Sequence, residues 1–170
     1  MNQFSSASEL ASWLNSAFEK QLISVFGRFY GSREEVVADQ PQALWITFEQ
    51  NPEMRLSTRS DGESLNLDQK SPEPVDLGEY GQEVLIDLMN YPPWKQLLGR
   101  KLTNSYLLVS NDAIIGVSLH FDNRKKVIVI NWGDQLYVWD RLDKQTMLQE
   151  AVQFVRIIGD NGTDVSAHHT

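Results

Sequence analysis

Proton transfer near neutral pH needs an imidazole or a carboxylate with a suitable pKa, so the three histidines are the first residues to inspect. His168 and His169 fall in a polar stretch from Asp160 to Thr170 that reads as a flexible tail, where imidazoles are simply solvated. His120 stands in Leu119-His120-Phe121-Asp122, on the strand face opposite Val117, Leu119 and Phe121. Asp122, two residues along that face, is the carboxylate that could orient it, and the pair supports a small-hydrolase reading. Hydrolysis also needs a nucleophile or a metal. The chain has no Gly-x-Ser-x-Gly elbow and no His-Glu-x-x-His pair, and Gly78-Glu79-Tyr80-Gly81 lacks the Gly-Lys-Ser/Thr ending of a phosphate loop. Cysteine is absent, which removes thiolate zinc ligands, cysteine nucleophiles and disulfides. The carboxylate pairs Glu34-Glu35 and Asp61 with Glu63 lack the order of a calcium loop. The residues therefore point to no catalytic group, no metal site and no cofactor.

What remains is surface chemistry. The chain of 170 residues carries 15 Lys and Arg against 23 Asp and Glu, a formal charge of −8. Residues 1–80 hold 13 acids and 6 bases, whereas residues 81–170 hold 10 acids and 9 bases. A net anion repels phosphate backbones, so nucleic acid is disfavoured, and the run Arg124-Lys125-Lys126 reads as a solvated turn. An acidic face instead attracts a basic protein and speeds its docking. Between Glu34 and Glu79 there are 11 acids and 3 bases, and Glu34, Glu35, Trp45, Asp61, Glu63 and Glu73 are the expected partner-binding residues. Trp45 is placed on the outward side of its strand, as an aromatic anchor. Trp132, Tyr137 and Trp139 form a second aromatic group, read either as an interface or as buried beneath the last helix.

The elements that must position these residues follow from periodicity. Ser6 with Glu9 has capping-box spacing, and Leu10, Trp13, Leu14, Ala17, Phe18, Leu22 and Val25 recur at intervals of three and four, which predicts a helix ended by Gly27. Leu44, Ile46 and Phe48, then Leu56 and Thr58, then Leu65 and Leu67, alternate with polar residues and predict three half-buried strands, with Asp61-Gly62 as a tight hairpin turn. Ser71 to Gly81 reads as an exposed connector, Glu83 to Asn90 as a short helix stopped by Pro92-Pro93, and residues 143–158 as a C-terminal helix capped by Asp143.

An offset of 71 positions brings Leu44, Ile46 and Phe48 onto Ile115, Val117 and Leu119, and Gly62-Glu63 onto Gly133-Asp134. This predicts an α+β fold of two similar helix-plus-antiparallel-β-meander units, a tandem pseudo-repeat with a C-terminal helix. The expected organisation is a single α+β domain over 1–159, with unit one at 1–70, connector at 71–81, unit two at 82–140, helix at 143–158 and tail at 160–170. No apolar run approaches the roughly 20 residues of a membrane-spanning helix, and Met1-Asn2-Gln3-Phe4-Ser5-Ser6 lacks the pattern of a signal peptide, so a cytoplasmic location is expected.

Three segments carry a family likeness: Trp94 to Leu102, Ile115-Gly116-Val117-Ser118-Leu119-His120-Phe121-Asp122, and Gly133-Asp134-Gln135-Leu136-Tyr137-Val138. Over residues 94–138 the chain resembles bacterial toxin-immunity proteins. The resemblance implies a cytosolic inhibitor that masks a toxin's active site and has no reaction of its own. A small, acidic α+β chain also fits a secretion chaperone, and the hydrolase reading rests on His120 and Asp122. The expected partner is a basic protein, with no nucleic acid or membrane, and the chain is read as a monomer or a homodimer.

Overall fold

A computed structural model of the chain describes residues 3–32, 34, 37–157 and 167–168. The first part contains α1 (Gln3–Ala17), β1 (Leu22–Tyr30), β2 (Ala43–Phe48), β3 (Met54–Thr58), β4 (Leu65–Asp68), β5 (Val75–Asp76) and β6 (Gln82–Asp87). The second contains β7 (Leu102–Ser110), β8 (Ala113–Phe121), β9 (Lys126–Trp132), β10 (Gln135–Trp139), α2 (Lys144–Gln149), β11 (Gln153–Ile157) and β12 (Ala167–His168). They build two antiparallel sheets, β4-β3-β2-β1-β6-β5 and β10-β9-β8-β7-β11-β12.

Alternation along each strand sends one set of side chains into a core common to both sheets. Val25, Phe29, Leu44, Ile46 and Leu56 enter it from the first sheet, Val117, Leu119, Val127 and Val129 from the second, and Leu10 and Leu14 from α1. Phe48 and Phe121 stack across the layer, their ring centroids 6.5 Å apart. Backbone bonds clamp one corner: Glu19 N–H donates to Leu102 O at 2.7 Å, Leu22 N–H to Arg100 O at 3.0 Å and Leu102 N–H to Lys20 O at 3.0 Å.

This mostly β architecture overturns the α+β pseudo-repeat. Its register is decisive: Leu44 pairs with Leu56, whereas Val127, which the offset makes equivalent to Leu56, pairs with Leu119 and not with Ile115. Thr58 likewise closes on Leu65 across six residues, but Trp132 closes on Gln135 across the two-residue turn Gly133-Asp134. Alternation alone carries no register, so strands matched in phase can be paired quite differently.

Three expected helices also change. α1 ends at Ala17, Glu19 takes the left-handed conformation with φ 61°, and Leu22 and Val25 belong to β1. Ser6 therefore lies inside α1 and is not its cap. Ile23, Val25, Phe26, Phe29 and Tyr30 are β-branched or aromatic, types that fit a pleated surface. Gly27 lies within this strand, at a position where a Cβ would sit 2.4 Å from the Phe29 ring. The segment read as a helix over 83–90 is β6, since Ile86 and Leu88 bury at a spacing of two. The helix over 143–158 is α2 followed by β11; Asp143 does cap it, accepting Thr146 N–H at 2.7 Å, but Ala151 turns to φ 48° and the chain then extends beside β7.

Because β6 pairs with β1, the segment 71–81 does not separate two units. It carries the chain from β4 at one edge of the first sheet to β5 at the other. Of the tail expected over 160–170, only Ala167 and His168 are described, and their backbone pairs with Val155 and Phe154; His169 lies outside the described residues. Among the described residues no helix is long and apolar enough to cross a membrane.

Candidate functional site

His120 lies on the outer face of the second sheet and faces Ser118, not Asp122. Its Nε2 is 3.0 Å from Ser118 Oγ, and its ring centroid is 4.9 Å from that of Tyr106. Asp122 has passed the end of β8 into the exposed turn, where its N–H donates to Lys101 O. Burial, helped by the nearby Lys126 charge, pushes the His120 imidazole below its ordinary value of 6.5, so it is neutral at pH 7. Neutral His120 could accept the Ser118 proton, yet Ser118 is 0% exposed and offers no surface to a substrate. The pair has the atoms of a nucleophile and base without access to them.

Trp45 is not an outward anchor. It is 1% exposed, donates from Nε1 to Lys70 O at 2.6 Å, and lies beneath Arg28, whose guanidinium is 5.5 Å from the ring centroid. The chain leaving β4 crosses this face and covers it. Arg28 Nε approaches Glu83 Oε2 to 2.7 Å without hydrogen-bond alignment, and Arg55 pairs with Asp68. This face is thus closed by internal partners.

The acids divide by position. Glu34 is exposed in the segment between β1 and β2, and Glu73 is exposed on the strap before β5; Glu35 lies outside the described residues. Asp61 and Glu63 share the β3–β4 loop. With five strand spacings of roughly 4.8 Å between β4 and β5, Glu73 is on the order of 20 Å from them. The expected binding set is therefore spread along one sheet rather than gathered.

Other residues gather around Asp61 and Glu63. The turns β3–β4, β7–β8 and β9–β10 come to the same end of the molecule: a Cβ placed on Gly62 would be 4.0 Å from Asp134 Cβ, and Asn131 Nδ2 donates to Ser64 O at 3.0 Å. Ser110 Oγ donates to Glu150 O and draws in the end of α2. Asp61, Glu63, Asp112, Asp134 and Glu150 are all exposed there. The turns are locally determined, since Asn111 and Asp112 (φ 50° and 62°) and Gly133 and Asp134 (φ 61° and 64°) adopt the left-handed pairs of two-residue hairpins. Asp61 organises the longer loop by accepting Glu63 N–H at 2.9 Å, Ser64 N–H at 2.8 Å and Ser64 Oγ–H at 2.6 Å. Burial would raise its carboxyl; these bonds and the Arg59 charge outweigh that and hold it below its ordinary value.

Between the turns lies a shallow recess. Glu63, Ser110, Asn111, Ile115, Asn131, Trp132 and Glu150 contribute to its lining, and Asn131 is 3% exposed. Asp134, Glu150 and Asn131 were not singled out from sequence, although the Gly133-Asp134 turn signal was visible. The β8–β9 turn with exposed Arg124, Lys125 and Lys126 is at the opposite end, because successive hairpins of a meander alternate ends. Among the described residues no three His, Asp or Glu side chains are placed to hold a metal ion. No family model, curated protein or solved structure matches the chain.

Trp132, Tyr137 and Trp139 are half-buried and pack on one another, with Tyr137–Trp139 and Trp132–Trp139 centroids at 5.2 and 6.2 Å. They border a second apolar cluster of Leu108, Ile115, Ile128, Ile130 and Val152, shared with Leu142 from the chain before α2.

Proposed function

We propose that the chain is a non-catalytic protein-binding module that docks a basic partner against the acidic turn end of its β-sandwich, as an immunity-type inhibitor in the cytoplasm would. The supporting observation is the convergence of Asp61, Glu63, Asp112, Asp134 and Glu150 from four separate segments. Like charges brought together on exposed turns destabilise the free protein slightly, and a cationic surface relieves that repulsion on docking. The basic β8–β9 turn at the other end adds a charge polarity that orients a partner during encounter. An inhibitor of this kind covers the functional site of its target and needs no chemistry of its own.

The test is capture from the native host, comparing the wild-type chain with Asp61→Lys/Glu63→Lys/Asp134→Lys and with Lys125→Glu/Lys126→Glu as the opposite-end control. The expected result is a basic protein retained by wild type and control, lost by the first variant, and released as salt rises because screening weakens the attraction. Equal retention by the acid-to-lysine variant, or capture of an acidic protein, overturns the proposal. Binding of an extended segment by a self-associated chain would replace it with the chaperone reading.

A further inference from the structure

We infer that the open side of β6 takes up an extended segment of a partner protein as an added strand, with one basic residue followed by three apolar ones. The site is separate from the acidic turns, because β3 and β4 stand at the other edge of the first sheet. Ladder phase decides which main-chain groups are open. Leu88 N–H donates to Val25 O and Gly31 N–H to Gln82 O, both at 2.9 Å, so the even-numbered residues of β6 bond β1. Leu77 N–H donates to Gly81 O at 2.9 Å, so the odd-numbered residues face β5. β5, however, pairs only with Gln82 and Glu83. Leu85 and Asp87 therefore turn their N–H and C=O groups to a side where no strand stands among the described residues. Leu85 is half-buried and Asp87 exposed, so this edge is reachable from solvent.

The chain's own strap does not fill this place, for a reason of length. Continued along the β5 register, Glu73 would stand opposite Leu85 and Ser71 opposite Asp87. Seven residue steps from Asp68 to Val75 reach about 23–25 Å at full extension. Crossing from β4 to β5 takes five strand spacings of roughly 4.8 Å, about 24 Å. The strap is thus taut over Trp45, which holds Lys70 O, and has no slack to lie down beside β6. A second copy fits poorly as well. Antiparallel self-pairing through these groups sets Asp87 against Glu83, Leu85 or another Asp87, and carboxylates opposite each other repel.

Side chains define the occupant, because opposite residues of adjacent strands share a face. Val84 and Ile86 point toward the core and favour apolar neighbours. Leu85, on the outer face, favours a third, and exposed Asp87 favours Lys or Arg. An antiparallel occupant therefore reads basic, apolar, apolar, apolar from its amino end. Main-chain bonds supply its affinity and these four positions its selectivity.

The test uses the full chain labelled with nitrogen-15 and the peptide acetyl-Ser-Lys-Val-Leu-Val-Ser-amide. In the free protein the Leu85 and Asp87 N–H groups should exchange with deuterium at least about tenfold faster than those of Val84 and Ile86. The peptide should shift the Leu85 and Asp87 resonances saturably and slow their exchange. N-methylation of its Leu, which stands opposite Leu85, should weaken binding about tenfold by removing the donor to Leu85 O. The same change at the Val opposite Ile86, whose N–H points away, should leave binding within about twofold. Replacing the peptide's Lys by Glu should weaken it about fivefold. Leu85→Pro removes a donor outside the β1–β6 ladder, so it should abolish the peptide response while the β1 resonances stay in place. Slow exchange at Leu85 and Asp87 in the free protein, absence of a saturable response, or equal loss from both N-methyl peptides overturns the inference. Protection of Leu85 that grows with protein concentration alone assigns the edge to a second copy and overturns it too.

Discussion

Trp45 donates its indole N–H to the carbonyl of Lys70 at 2.6 Å, and this bond pins the strap that crosses the outer face of the first sheet. Sequence periodicity points Trp45 outward, and so it does point, but the chain comes back over it.

Trp45→Ala should therefore destabilise the protein by about 3–5 kcal/mol, the usual cost of emptying a buried aromatic site. Urea unfolding checks it, and proteolysis within residues 69–74 should accelerate in parallel. A stability within about 0.5 kcal/mol of wild type, the range of ordinary surface substitutions, would mean Trp45 is an exposed anchor after all.

Gly116 and Gly133 should respond to alanine for different reasons. A Cβ at Gly116 would lie 2.6 Å from Val129 O, inside the β8–β9 ladder, whereas one at Gly133 meets nothing within 4 Å but must accept φ 61°. Gly116→Ala should cost about 1–3 kcal/mol or more through overpacking, and Gly133→Ala about 1–2 kcal/mol through backbone strain. In thermal unfolding the first should be the more damaging; the reverse order would place the strand pairing in error.

Asp68 should stabilise the fold in a pH-dependent manner. Burial raises its carboxyl, but the Arg55 hydrogen bond, the Lys70 N–H, the Arg55 charge and Asn66 together hold it below its ordinary value of 3.8. A carboxyl depressed in the folded state contributes stability above its unfolded pKa and loses it as pH falls through the folded value. Asp68→Asn should thus be less stable than wild type at about pH 7, with the gap closing in strong acid. Denaturant midpoints across that range measure it, and a gap that widens on acidification contradicts the pairing.

His120 should also weaken the fold on acidification, but at higher pH than Asp68. Its folded pKa lies below 6.5, so under mild acid the unfolded chain binds a proton that the folded chain refuses. Stability should fall as pH drops below about 6.5 and level off below the folded pKa, and His120→Asn should abolish that component. The same buried pair should leave Ser118 unlabelled by a fluorophosphonate; labelling at Ser118 would revive a hydrolase.

Legibility followed the range of the interactions. Strands β2, β3 and β4 are visible as alternation, because that signal spans only a few residues, and β8, β9 and β10 are reached from them through the offset of 71. β1, β6 and β11 were read as helix because short apolar runs support both periods. Their β-branched and aromatic content, Val84 and Ile86 in β6 and Phe154 and Val155 in β11, was the available corrective. The recess had no comparable signal: Asn131 and Ser64 are 67 positions apart, and neither carries a mark of the other.

By itself the sequence determined the charge, the lack of cysteine chemistry and the alternating strands, since each depends on residue type or on neighbours along the chain. Only the tertiary structure decided that segment 71–81 is a strap, that β6 and β11 complete two sheets, and that acids from distant turns share one end with a buried, unpaired amide oxygen. Strand partners and the segments that cover a face are chosen by packing over the whole chain, and local alternation is satisfied by many such arrangements.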